Sequence, residues 1–168
     1  WAGNGQMKVV KDAKYGAEML YAEWKPGEKA PVVEVTSRFA THDRAVNLSQ
    51  PNPKAPRLSA AELKFNTAGT ELIPTDGIVK ETAQGIIRGA KTDVEKARAI
   101  YEWVVDNTFR DPKVRGCGWG DIKAMLETKN FGGKCGDLNA MFVGLARSVR
   151  GPGREVYAVR RAPSKLGY

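Results

Sequence analysis

The run Ser49-Gln50-Pro51-Asn52-Pro53-Lys54-Ala55-Pro56 constrains the chain more than any other stretch. Proline fixes φ and carries no amide donor, so this spacing forbids both a continuing helix and a central strand. The segment reads as an extended linker. It divides the chain into a β-rich leading segment, residues 1–56, and a second part, residues 57–168, whose hydrophobic periodicity is helical. A length of 168 residues suits one ordinary domain with an appendage.

Upstream of the linker, Met19-Leu20-Tyr21-Ala22-Glu23-Trp24 precedes a Pro26-Gly27 turn signal. Then comes a run from Val32 in which Val33, Val35, Ser37 and Phe39 share one face by the period of two. The pattern predicts a hairpin between these two runs.

Downstream, helix starts are written locally. Ser59-Ala60-Ala61-Glu62 and Thr92-Asp93-Val94-Glu95 are capping boxes, and Asp93 and Glu95 also suit the positive end of a helix dipole. Between them, Ile78, Val79, Thr82, Ile86 and Ile87 follow Pro74-Thr75-Asp76 as a loose apolar stripe, with Gly89 as its end. After Thr92, the residues Val94, Ala97, Tyr101, Val104 and Val105 recur at helical spacing until about Asn107, ahead of Asp111-Pro112. Arg115-Gly116-Cys117-Gly118-Trp119-Gly120 is a loop by its glycines and reads as a wall of the cleft, with Trp119 expected in the core because tryptophan is highly buried on average, and lining the substrate groove as the alternative. Asp121 then caps a short helix with Ile122, Met125 and Leu126 inward. From Gly136 a helix is expected to about Val149, with Leu138, Met141, Phe142, Leu145 and Val149 on one face, closed by Gly151-Pro152-Gly153. Residues 155–160 alternate and read as a strand.

The formal net charge of +8 raises the question of an anionic partner. The densest basic stretch, residues 147–165, is interrupted by glycine and proline and lacks interleaved aromatics for base stacking, which argues against nucleic acid and for a solvated surface. No apolar run approaches the roughly 18 residues of a membrane span, and no basic-then-apolar leader is visible. Two cysteines make no disulfide framework. With a single histidine and no CxxC pair, neither a metal site nor a cofactor is expected.

Cys135 is the informative residue. It follows Phe131-Gly132-Gly133-Lys134 and opens a strongly amphipathic helix. Free amides and the dipole at a helix N-terminus favour thiolate, the nucleophilic form, and Lys134 adds positive charge. The glycines permit close backbone approach, and the Cys135 amide is a candidate oxyanion donor. A buried, inert thiol is the alternative, though Cys135 stands at the cap and off the apolar stripe. Cys117, between two glycines, competes for the role without a helix cap of its own. Asp137 reads as a helix-start carboxylate favoured by the dipole.

The run from Phe131 through Cys135-Gly136-Asp137-Leu138-Asn139 to Ala146-Arg147 resembles the nucleophile segment of bacterial transglutaminase-like proteins. Gly151-Pro152-Gly153-Arg154-Glu155-Val156 resembles the stretch that feeds the family's next strand, and residues 97–105 resemble its preceding helix. Gly116-Cys117-Gly118-Trp119-Gly120-Asp121 and Ala162-Pro163-Ser164 look like one bacterial branch of it. The resemblance covers residues 58–168. It implies an α+β, papain-like core with Cys135 as catalytic nucleophile on a helix and the start of an antiparallel sheet behind it. It further implies a His and an Asp on following strands, the one as base and the other orienting it.

His42, the single histidine, precedes Cys135 by more than ninety residues and does not match that motif. The His and Asp are therefore expected from a following C-terminal segment or a second chain, with the core incomplete and this chain inactive and unstable as a monomer without them. The expected function is thiol acyl transfer or amide hydrolysis on a peptide or protein substrate. The alternative is a non-catalytic module that binds a peptide or cell-wall polymer. By the same resemblance the protein is expected in the periplasm or otherwise exported.

Overall fold

The computed structural model describes residues 1–40, 42–43, 45–50 and 54–157. The chain divides into two compact units, Trp1–Val46 and Asn47–Tyr168. Among the described residues it is mixed α/β, with five helices and three two-stranded sheets, in agreement with an α+β class.

In the first unit, strand β1 (Ala2–Gly3) pairs antiparallel with β4 (Val33–Glu34), and β2 (Gln6–Lys11) pairs antiparallel with β3 (Glu18–Glu23). The expected hairpin partner is therefore corrected. The run from Met19 pairs with residues before it, in a register from Gln6↔Glu23 to Lys11↔Glu18, and not with residues 32–39. The reason is the tighter upstream turn. Gly16 takes φ +70°, its amide donates to the Asp12 carbonyl at 3.0 Å, and the Asp12 amide closes on the Ala17 carbonyl at 2.9 Å. Beyond Glu34 the predicted strand is not formed, and Val35 and Phe39 are exposed. None of this unit's described residues is fully buried.

The second unit holds the core. Helix α1 (Ala60–Thr67) starts at the capping box of Ser59 and Glu62, with the Glu62 amide donating to the Ser59 hydroxyl at 3.2 Å and the Ser59 amide to Glu62 at 2.7 Å. Helix α2 (Gly77–Ile86) follows Asp76. Helix α3 (Asp93–Asn107) opens on the reciprocal Thr92 and Glu95 bonds. Helix α4 (Ile122–Thr128) is capped by Asp121, whose carboxylate accepts from the Ala124 amide at 3.0 Å.

Helix α5 (Cys135–Ser148) is the central element, in contact with α1, α2, α3 and α4. Ile73, Val79, Ala83, Ile100, Val104, Ile122, Leu126, Ala140, Met141, Leu145 and Ala146 form its apolar surround. A Cβ on Gly144 would collide with Ile122 and Ile73, so α4 and the loop before α2 reach the α5 backbone only because that side chain is absent.

Two sequence expectations shift here. The buried face of α3 is Ile100 and Val104 with Trp103 beside them, while Val94, Tyr101 and Val105 face outward. Residues 155–157 form no strand, and residues 158–160 lie outside the described residues.

The end of α5 is a Schellman turn. The Gly151 amide donates to the Ala146 carbonyl at 2.8 Å and the Arg150 amide to the Arg147 carbonyl at 3.0 Å. The left-handed residue at its centre is Arg150, φ +68°, where glycine is the usual choice. Replacing Arg150 with Gly is expected to raise unfolding free energy by about 0.5–1 kcal/mol, the relief of the Cβ exceeding the added freedom of the unfolded chain. Urea denaturation would show a higher midpoint at constant slope. An unchanged or lower midpoint contradicts the assignment of strain to this residue.

Candidate active site

The turn that presents Cys135 is built from three directions. Strand β5 (Phe109–Arg110) runs parallel to β6 (Gly132–Gly133), and the Asp111 amide donates to the Gly133 carbonyl at 2.8 Å. Trp103 of α3 meets the Phe131 ring edge to face at 5.7 Å, which seats the turn on the helical core. The third anchor is Asp137, 7% exposed.

Asp137 does more than its dipole position suggests. Its Oδ2 accepts from the Lys134 amide at 2.9 Å, and its Oδ1 accepts from the Gly120 amide at 2.8 Å. One carboxylate thus holds both the turn before the thiol and the loop that carries Cys117. The surrounding glycines make room for it. A Cβ on Gly118, which also takes φ +91°, would collide with the carboxylate, and one on Gly133 would lie 2.6 Å from the Asp137 Cβ. A second bond joins the same two segments, from the Gly136 amide to the Cys117 carbonyl at 2.7 Å. Gly136 is the second residue of α5, so this bond satisfies one of the amides that have no acceptor within the helix.

Cys135 is exposed, free and first in α5, with its carbonyl accepting from the Asn139 side chain at 2.7 Å. Cys117 is likewise exposed and free. His42 is in the first unit, Trp1–Val46. Trp119 corrects the expectation of core packing. It is 83% exposed, because the positive φ of Gly118 and Gly120 on either side turns the loop outward.

Trp119 instead lines a cleft of about 320 Å³ with Leu72, Ile73, Gly120, Glu155 and Tyr157. Glu155 and Tyr157 were not singled out from the sequence, although their spacing of two places them on one face of an extended segment. The segment is steered by Arg147, whose Nε donates to the Gly153 carbonyl at 2.8 Å and whose Nη1 donates to the Ala68 carbonyl at 3.2 Å. Burial pushes the Glu155 carboxyl above the usual range, against the opposing pull of the Tyr157 hydroxyl and Arg147. The Glu155 Oε1 is buried with no hydrogen-bond partner among the described residues. Burial of its hydroxyl end, then Glu155, then the two cysteines push the Tyr157 phenol upward. The thiols do not line the cleft themselves.

The transglutaminase-like superfamily profile matches residues 80–167, just over half of the chain. The chain belongs to the transglutaminase-like superfamily. A Haemophilus influenzae protein described as uncharacterized is 35% identical to this transglutaminase-like chain over 164 residues, covering 95% of this chain and 44% of the relative. The chain thus spans less than half the length of that relative. No solved structure matches. Superfamily membership supports thiol-dependent acyl-transfer or hydrolase chemistry in general, and α3, α4 and α5 all fall within the matched span. No group of three or more metal-binding side chains occurs among the described residues. No helix among them is long and apolar enough to cross a membrane.

Proposed function

We propose that this transglutaminase-like chain carries the nucleophile of an acyl-transfer or amide-hydrolysing enzyme, and that Cys135 is that nucleophile. The observation that carries the reading is the exposed thiol at the first position of α5, on a turn fixed by Asp137 and by the Gly136 amide. In the reaction, the Cys135 sulfur attacks the carbonyl carbon of a peptide or glutamine-type amide. A C–S bond forms, the C–N bond breaks, and the amine leaves with a proton from the general acid. Water or a second amine then releases the acyl group from sulfur. The Cys135 amide, the first of the helix, serves as one oxyanion donor. The base and its orienting carboxylate, a His and an Asp, come in this reading from a following segment or a second chain, arranged as a papain-like layer. The same family resemblance supports an exported location.

Alkylation tests this reading without a known substrate. At neutral pH, iodoacetamide is expected to modify Cys135 at least about tenfold faster than Cys117, as read by peptide mass spectrometry, because an activated thiol reacts through its thiolate. Supplying the following segment should widen the ratio. Equal rates for both thiols, with and without that segment, would make Cys135 structural and favour a non-catalytic module that binds peptide or cell-wall polymer.

A further inference from the structure

The two cysteines are held together by the backbone that surrounds them. The Cys117 carbonyl accepts from the amide of Gly136, the residue next to Cys135, at 2.7 Å. With standard bond lengths, that contact limits the separation of the Cys117 and Cys135 Cα atoms to no more than about 7.5 Å, and to about 6 Å when the N–H points straight at the oxygen. Disulfides span Cα separations of roughly 4.4–6.8 Å. Asp137 keeps the spacing fixed, since its carboxylate bonds the Gly120 amide on one side and the Lys134 amide on the other. Both thiols are exposed and free.

We infer that Cys117 and Cys135 form a reversible intramolecular disulfide, which makes the nucleophile turn a site of oxidative modification by small-molecule disulfides. The chemistry is thiol–disulfide exchange. One cysteine thiolate attacks a sulfur of a disulfide such as oxidised glutathione, forming a mixed disulfide and releasing one glutathione thiol. The second cysteine thiolate then attacks the protein-side sulfur and releases the other. The protein gives up two electrons and two protons, and the oxidant is reduced to two thiols. With the backbone spacing held, rotation about the Cα–Cβ bonds of the two exposed cysteines is the motion that brings the sulfurs together. The consequence, that oxidation caps the attacking sulfur, rests on the role proposed for Cys135. Formation of the bond does not rest on it.

The test is incubation of the chain with oxidised glutathione, followed by intact and peptide mass spectrometry without reduction. The expected product is a monomer lighter by two hydrogens, containing a Cys117–Cys135 cross-linked peptide, with both thiols protected from iodoacetamide until dithiothreitol is added. Cys117→Ser should instead accumulate the Cys135–glutathione mixed disulfide, at least about tenfold more of it than the wild-type chain, because the intramolecular step has a high effective concentration. The same wild-type chain in denaturing urea should also accumulate mixed disulfide. A native wild-type chain that ends with two glutathiones, or as a disulfide-linked dimer, would overturn the inference. Loss of enzymatic activity is not the readout, so a failure of the acyl-transfer reading leaves this result interpretable.

Discussion

Asp137→Ala is expected to lower the unfolding free energy by about 2–4 kcal/mol. The carboxylate makes two charge-assisted bonds to backbone amides, each of a kind worth roughly 1.5–3 kcal/mol, and the losses overlap because both anchor one loop. Truncation leaves the Gly120 and Lys134 amides without their acceptor, and Gly120 is buried. It also opens a space that Gly118 and Gly133 cannot fill, since both lack the side chain that would collide with Asp137 now. Asp137→Asn should fall in between, since one oxygen remains to accept while its NH₂ group faces an amide donor. Urea denaturation gives the stability change. Alkylation gives the second readout. With the turn released, the preference of iodoacetamide for Cys135 over Cys117 should shrink toward equality. A midpoint shift corresponding to less than about 0.5 kcal/mol, with the preference intact, would show that the turn is held by the β5–β6 pairing and the Gly136 bond alone.

The parts of this fold that are written locally are the parts legible in the sequence. Ser59 with Glu62, Thr92 with Glu95, and Asp121 each announce a helix start within four residues, and each forms the bond that the spacing implies. What depends on partners far along the chain is harder to read. On α3 the expected stripe holds only at Val104: Val94, Tyr101 and Val105 are apolar and correctly spaced yet face outward, and Ile100 joins Val104 in the core. Periodicity finds a stripe, and only tertiary packing chooses between neighbouring stripes. The hairpin partner failed for a related reason: the closing signal was the Asp12–Gly16 turn, weaker in composition than Pro26-Gly27 but shorter to close.

The same division runs through the candidate site. The position of Cys135 at a helix start was legible because glycines followed by an amphipathic run are a local pattern. The second task of Asp137, binding the Gly120 amide seventeen positions away, leaves no local trace. Its one indirect signal is the glycine content of both loops, since Gly118 and Gly133 are the positions where its side chain needs space. Trp119 followed the average for its residue type only until the flanking glycines turned its loop outward.

Substituting Cys135 by Ala should abolish turnover, by on the order of 10³-fold or more, since removal of a covalent nucleophile leaves only binding and oxyanion stabilisation. The assay needs the chain together with the segment proposed to carry the His and Asp, with ammonia release and new amino termini from a denatured protein mixture as the readouts. Stability separates chemistry from collapse. Cys135 is exposed and outside the apolar surround of α5, so the urea midpoint should move by less than about 0.5 kcal/mol equivalent. Cys135→Ser supplies the sharper comparison: it keeps the size and a hydrogen-bonding group but replaces a sulfur nucleophile by a hydroxyl with no accessible anion, so it should be almost as inactive as Ala. If either variant keeps turnover within about tenfold of the original, the attacking atom is elsewhere, and Cys117 on the facing loop becomes the next thiol to remove. If turnover is absent throughout while peptide binding is unchanged by Cys135→Ala, the turn built by Asp137, Gly136 and Cys117 serves recognition, and the superfamily's thiol chemistry has been lost from this chain.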